Sequence, residues 1–228
     1  MSVPPESKIS ALKSRWLSEP GQRVRERLIQ CFRESDEAWG RHLADFPYGS
    51  ELGPDEDLRG IDLSGLDLTG MMAAYVNLED ANISRCTFRI PVILSGGRLR
   101  RARCNGLVTA KKAQLSSIVA EDADFSEADL SYAFMMSSTL KRCNFTSARL
   151  VGTALESSLL DDSTFENATL TNAKLEFGSL KRVCFRNADL RGADLTYCDL
   201  TGADFRGANL TQAMFDNANL TDALFSSS

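Results

Sequence analysis

A spacing of five residues governs this chain. At every fifth position from 115 to 225 stands Leu, Phe, Met or Ala, and only Ala120 and Met135 depart from Leu and Phe. Two residues before each of these sits a small or modest side chain: Ala123, Ala128, Ala133, Cys143, Ala148, Ser158, Ala168, Gly178, Ala188, Cys198, Ala208 and Ala223 are examples. Asp or Asn often fills the position between, as at Asp124, Asp129, Asn144, Asp189, Asp194, Asp204, Asn209 and Asn219. No ordinary element tolerates this period. On an α-helix five residues turn the chain by about 500°, so the leucines would spiral and form no stripe. On a flat strand an odd step sends them to alternate faces. The pattern works only if the chain turns a corner every five residues, with the large residue and the small one before it both pointing inward.

Phenylalanine sets the next level. Phe125, Phe145, Phe165, Phe185, Phe205 and Phe225 recur every 20 residues, and Leu130–Leu210 and Leu140–Leu220 form parallel series at the same interval. One turn of the coil is therefore four pentapeptides, with a ladder of aromatic rings along one side of its core. Upstream the period continues in two displaced registers. Leu58, Leu63, Leu68, Ala73, Leu78, Ile83 and Phe88 hold the first, and Leu94, Leu99 and Cys104 the second, one residue later. Two single-residue insertions thus fall between 89 and 114. The repeat amounts to about 34 pentapeptides, roughly eight and a half coils and ~40 Å of rod at the usual strand spacing. Its interior is filled by Leu, Phe and Ala, which leaves no room for a pore or a cofactor, and none is expected.

The segment Ala188-Asp189-Leu190-Arg191-Gly192-Ala193-Asp194-Leu195 resembles the pentapeptide-repeat family, whose motif is Ala-(Asp/Asn)-Leu-x-x, and the resemblance runs over residues 56–225. It implies a right-handed quadrilateral β-helix, where the spacing alone gives the four sides but not the hand. The fold class expected is mainly β, a pentapeptide-repeat solenoid of about eight coils (residues 51–228) behind a small α-helical N-terminal cap and linker (1–50). A rigid rod with varied outward side chains is what a protein-interaction scaffold offers, so a non-enzymatic binding or scaffold protein is expected, while the resemblance itself fixes the fold and leaves the function open. A minority reading follows the family's quinolone-resistance members, bacterial rods that bind DNA gyrase through an acidic, DNA-like face.

Residues 5–46 do not repeat. Ile9, Leu12, Trp16 and Leu17 have helical spacing; Ser18 is placed to cap a second helix carrying Val24, Leu28, Cys31 and Phe32; Ser35 is placed to cap a third with Trp39, Leu43 and Phe46. Pro47 to Pro54 reads as a linker. A solenoid's raw first coil needs a cover, and capping is the role expected of these helices. At the other end the repeat runs to Phe225 and stops at Ser226-Ser227-Ser228, so a homodimer through the C-terminal coils is expected. The family's gyrase-binding members also pair end to end, though often with a C-terminal helix that this sequence lacks.

The sequence offers little for catalysis or metal binding. Its one histidine, His42, lies in the cap, which rules out a Ser-His-Asp or Cys-His set on the coil. Cys86, Cys143 and Cys198 occupy the small inward slot, where cysteine behaves as a small hydrophobe; Cys184 is placed further out, near Lys181 and Arg182. No cysteine pair has metal-site spacing, no Gly-rich phosphate loop occurs, and no run is long and apolar enough to span a membrane. The start of the chain has no secretory leader pattern, so a cytoplasmic, non-enzymatic protein with reduced thiols is expected.

Charge is unevenly distributed. Residues 51–84 carry eight acids and one base, residues 85–112 carry eight bases and no acid, and residues 120–228 carry sixteen acids and nine bases. The basic band is Arg85, Arg89, Arg98, Arg100, Arg101, Arg103, Lys111 and Lys112. It has two readings: a surface balanced by acidic neighbours, or a docking patch for an acidic protein partner. A net charge of −5 and the absence of aromatics between those arginines argue against direct nucleic-acid binding. Asp189, Asp194, Asp199 and Asp204 are the acids a DNA-mimicking face would use. They too have a structural reading, because Asp or Asn before the large residue can hydrogen-bond the corner backbone.

Overall fold

The computed structural model describes residues 6–34, 57–69, 71, 73–88, 92–108 and 112–225. The third helix expected from Ser35, the linker at 47–54, His42, Arg89, Lys111 and the side chains of Ile9, Leu12 and Phe32 lie outside what it describes.

Two helices precede the repeat, α1 (Glu6–Leu17) and α2 (Glu19–Glu34). Ser18 separates them and caps α2 through its Oγ, which accepts from the Gly21 N–H at 3.2 Å, and Pro20 sits in the first turn, where an amide donor is not needed. Trp16, Val24, Leu28 and Cys31 are buried, but Leu17 is exposed. Leu17, the last residue of α1, turns about 100° away from Trp16 and does not join the buried face.

From Asp57 on, the chain is a β-solenoid built of single-residue parallel bridges rather than long strands. Each bridge joins residues 20 apart in the main register, as in Asp124 to Asn144 and Asn144 to Thr164. Four bridges, one per side, make a coil. The spacing becomes 21 from Asn77 to Arg98 through Val108 to Asp129 and returns to 20 at Gln114 to Phe134. The bridge positions step by six instead of five at 87 to 93 and again at 108 to 114. Both insertions therefore fall at the same corner, in successive coils, which keeps every column of side chains aligned above and below.

The pentapeptide uses its five amide hydrogens completely. Around Phe125, the Ala123 N–H closes the preceding corner on Ala120 O and the Asp124 N–H reaches back to Ala102 O. The Phe125 and Glu127 N–H groups reach forward to Asn144 O and Thr146 O. The fifth, on Ser126, donates to the Asp124 carboxylate at 3.0 Å. This last bond recurs where Asp or Asn precedes the large residue: Asn77 holds the Glu79 N–H, Asn144 the Thr146 N–H and Asn209 the Thr211 N–H, each near 3.1 Å. Buried amides must find partners, and the fixed Asx position supplies the one the ladder leaves over.

The second residue of each corner has positive φ, between 55° and 74° along the whole coil. With φ positive at that residue alone the corner has the pattern of a type II turn, which favours Gly or Asn there. Most occupants are neither; Tyr132, Arg142, Phe177, Arg182 and Tyr197 all take it. The inter-coil bonds on both sides of the corner hold the conformation against its local cost.

The core is one continuous cluster from Trp16 through Phe205. In it the rings of Phe125, Phe145, Phe165, Phe185 and Phe205 stack in a column that Phe225 continues beyond the buried core, with centroids 4.7–5.2 Å apart. Small hydroxyls in the inward slot stay satisfied: Ser158 Oγ donates to Met135 O at 3.0 Å and Thr153 Oγ1 to Leu130 O at 2.8 Å.

Candidate interaction surfaces

With its interior closed, the coil presents chemistry only on its faces, corners and ends. The first end is covered. In each coil the carbonyls beside the corner accept from the coil before, and the first coil has none before it. The cap supplies the missing donors from side chains. Arg15 Nη2 donates to Asp57 O and Arg59 O at 3.1 and 2.9 Å, Trp16 Nε1 to Arg59 O at 2.8 Å, and Arg25 Nε to Asp62 O at 2.6 Å. Arg15 is itself buried and pairs with the Asp57 carboxylate at 3.2 Å. Burial alone would raise the Asp57 carboxyl, but hydrogen bonds from Arg59 and Arg15 more than offset it and hold the group below its ordinary range. Between cap and coil lies a cleft of about 500 Å³ whose walls include Lys13, Trp16, Arg25, Asp62, Asp80 and Arg103.

One corner carries an ionic ladder. Reading up successive coils it runs Glu79-Asp80, Arg100-Arg101, Glu121-Asp122, Lys141-Arg142, Asp161-Asp162, Lys181-Arg182. Acidic and basic pairs alternate without a break, and the rungs are joined. Arg101 pairs with Asp80 at 2.8 Å, Arg100 with Glu121, Arg142 with Asp122 at 2.6 Å, Lys141 with Asp161 at 3.2 Å and Arg182 with Asp162 at 2.6 Å. Arg142 and Arg182 hold the Asp122 and Asp162 carboxyls below their ordinary range. Lys181 continues the ladder to Asp199 on the adjoining face at 3.1 Å.

This ladder absorbs the centre of the basic band. Arg100 and Arg101 are one of its rungs, and Arg98, on the neighbouring face, pairs with Glu79 at 2.6 Å. Arg103 lies on another face, at the cap cleft, and Arg85 on a different corner. Lys112 stands at the corner that takes the insertions. The band is therefore dispersed around the coil, and three of its arginines already face carboxylates.

The acidic quartet is dispersed too. Asp189, Asp194, Asp199 and Asp204 occupy four consecutive pentapeptides, so one stands on each face. Each accepts from the N–H two residues on, at Arg191, Thr196, Thr201 and Arg206. Asp189 is also held by Arg191, Asp199 by Lys181, and Asp204 by both Arg206 and Arg186. The Asp204 carboxyl is driven far below its ordinary range by Arg206, with Arg186 adding to it.

The thiols are inward and unreactive in character. Cys86, Cys143 and Cys198 are buried, and each Sγ donates to a backbone carbonyl at 3.0 Å. Burial pushes the Cys86 thiol up to about 11 and the Cys198 thiol up to about 12. Cys184 is half-buried, and Lys181 and Arg182 are committed to Asp199 and Asp162. Among the described residues no His/Cys/Asp/Glu group could hold a metal, and no helix is long and apolar enough to cross a membrane.

The family model for pentapeptide repeats matches in eight copies over residues 57–89, 121–156, 148–187 and 188–226. The chain belongs to the pentapeptide-repeat family. No curated protein matches it. Among solved structures this pentapeptide-repeat protein is similar to HetL of the cyanobacterium Nostoc, described as involved in heterocyst differentiation regulation, at 23% identity over 75% of this chain and 89% of that one, with a TM-score of 0.39. It is also similar to a trypsin-treated variant of QnrB1, a plasmid-mediated fluoroquinolone resistance protein, at 14% identity over 72% and 89% with a TM-score of 0.33. A third is Rfr23 of the cyanobacterium Cyanothece, at 21% identity over 75% and 88% with a TM-score of 0.16. At these TM-scores the likenesses say nothing of what the present pentapeptide-repeat protein binds.

Two features of its surface were not drawn from the sequence. The ladder was available as doublets 20 or 21 residues apart, but charge read along the chain shows blocks, not columns. The other is aromatic. On the corner that holds Ser117, Ser137 and Ser157, the next two coils place Phe177 and Tyr197, 63% and 56% exposed and stacked at 5.1 Å. Tyr75, lower on the same corner, and Tyr132, on another, are exposed too, but each lies over a glycine of the next coil, Gly96 or Gly152, where a Cβ would come within 2.5 or 2.9 Å of the ring.

Proposed function

We propose that this chain is a non-enzymatic scaffold rod that binds another protein through its outer surface. One observation carries this reading. In each pentapeptide two side chains fill a closed core, a third completes the corner's hydrogen bonding where it is Asp or Asn, and the remaining side chains are free to vary and point outward. A rigid rod with a varied exterior is what a solenoid offers to partners. The test is capture of a partner by the immobilised full chain, followed by cross-linking. Cross-links on outward corner and face residues support the proposal. A complex held only through residues 6–34, or no protein retained, overturns it.

A second reading, a DNA-mimicking protein that binds gyrase and shields it from its poisons, is supported by acids of the C-terminal half that make no ion pair among the described residues, among them Glu156, Glu176, Asp194 and Asp216. The dispersal of Asp189, Asp199 and Asp204 over three faces, each with its own cation, weighs against it. A supercoiling assay with purified gyrase and a fluoroquinolone decides: protection from the drug at low protein concentration puts this reading first, and no effect removes it.

A further inference from the structure

The stacked pair Phe177–Tyr197 stands out from everything else on the corners. Both residues hold left-handed φ, 61° and 58°, the conformation least suited to a bulky side chain. Serine holds the same position at 117, 137 and 157, so the fold does not require aromatics there. Neither ring is in the core, and neither lies over a glycine. An exposed aromatic pair that the coil does not need for its core, on a corner where serine serves as well, points to recognition.

The surroundings define what is recognised. Glu156 and Glu176 precede Ser157 and Phe177 on this corner and stack in successive coils. One oxygen of each, Oε2, is buried and has no hydrogen-bond partner. Asp194 lies on the adjoining face, and Asp216 follows on the corner above. None of these four carboxylates has a cation within ion-pairing distance among the described residues, and Lys174, whose charge is felt at Glu176, makes no ion pair. Burial raises the Glu176 carboxyl, and Asp194 and Glu156 add to it, against its own backbone N–H and the charge of Lys174. The ladder corner, by contrast, has every rung neutralised.

Building on the scaffold reading, we infer that the Phe177–Tyr197 corner docks an arginine- or lysine-bearing segment of a partner protein, the cation lying against the ring faces and reaching the Glu156, Glu176 and Asp194 carboxylates. Aromatic faces attract cations, the more so beside uncompensated acids, and aromatics are the usual anchors of protein interfaces. An anionic or nucleic-acid partner would meet four unpaired carboxylates. A second copy of this chain would bring the same acids against them.

The probe is a fluorescein-labelled peptide of alternating Gly and Arg, with a Gly/Gln peptide of equal length as control, titrated by anisotropy against the full chain. Binding of the Arg peptide at least tenfold tighter than the control is expected. Phe177→Ser with Tyr197→Ser, which installs the residue this corner already uses, is expected to weaken it at least tenfold, and Glu156→Gln with Glu176→Gln likewise. Asp122→Asn with Asp162→Asn removes the same charge from the ladder corner and is expected to change it less than twofold. Equal loss from the two acid pairs would mean unspecific attraction and overturn the inference. So would equal binding of both peptides, or a wild-type dimer by sedimentation that the serine variant abolishes. A captured partner that binds the serine variant undiminished would overturn it and leave the scaffold reading intact.

Discussion

Each residue in the pentapeptide has a separate duty, and the least obvious belongs to the Asp or Asn before the large side chain. Where Asp or Asn stands there, its oxygen holds the one amide that the coil-to-coil ladder leaves over, and the acceptor matters rather than the charge. Asp124→Asn is accordingly expected to leave stability within about 0.5 kcal/mol, whereas Asp124→Ala strands the Ser126 N–H and costs about 1–2 kcal/mol in denaturant titration. Phe165 lies between two rings and is fully buried, so Phe165→Ala is expected to cost about 3–5 kcal/mol. The inward residues and the Asx positions were legible in the sequence because packing repeats them every five residues. The left-handed corner was not. Its usual sign is Gly or Asn, and here Arg142, Phe177 and Tyr197 adopt it because the hydrogen bonds on both sides leave no alternative.

At the scale of elements, the cap is a substitute coil made of side chains. Ser18 and the apolar residues of α2 could be read from sequence, but the donors could not, since nothing in Arg15, Trp16 or Arg25 says which carbonyls await them. The Asp57 carboxyl gives this junction a pH dependence. Its folded pKa lies below the unfolded value, so its contribution is present above the unfolded value, near 4, and is lost as pH falls through the folded one. The stability gap between wild type and Asp57→Asn is expected to be widest near pH 6 and to close towards pH 2, followed by urea midpoints. The ladder corner depends on salt instead. Its pairs are partly exposed, and each is worth about 1 kcal/mol or less. Reversing one rung, Lys141→Glu with Arg142→Glu, sets three acidic rungs in succession. We expect a loss of about 1–2 kcal/mol at low ionic strength that largely disappears near 1 M salt. The doublets that build the ladder were visible, but the two insertions change their interval from 20 to 21 and mask the column.

Over the whole molecule the two ends differ. In the last coil Leu220 is 36% and Phe225 45% exposed, while Leu200 and Phe205, one coil before, are buried. The forward-pointing N–H groups of Leu210, Gln212, Phe215, Asn217, Leu220, Asp222 and Phe225 have no backbone acceptor among the described residues. These amides are expected to exchange with solvent far faster than their counterparts at 190–205, by hydrogen-exchange mass spectrometry. If two copies meet through these coils, as the sequence leads one to expect, forward amides oppose forward amides and the ladder cannot run on. Side chains must then make the contact, so Leu220→Glu with Phe225→Glu is expected to give a monomer by sedimentation.

The donors that α1 and α2 lend to the first coil also fix an order of events during synthesis. The helices leave the ribosome before any repeat, so the residues that carry these donors are already made when Asp57 and Arg59 emerge. Each later coil bonds to the coil made some 20 residues earlier and to nothing farther back, so the rod can lengthen at the pace of translation without awaiting distant sequence.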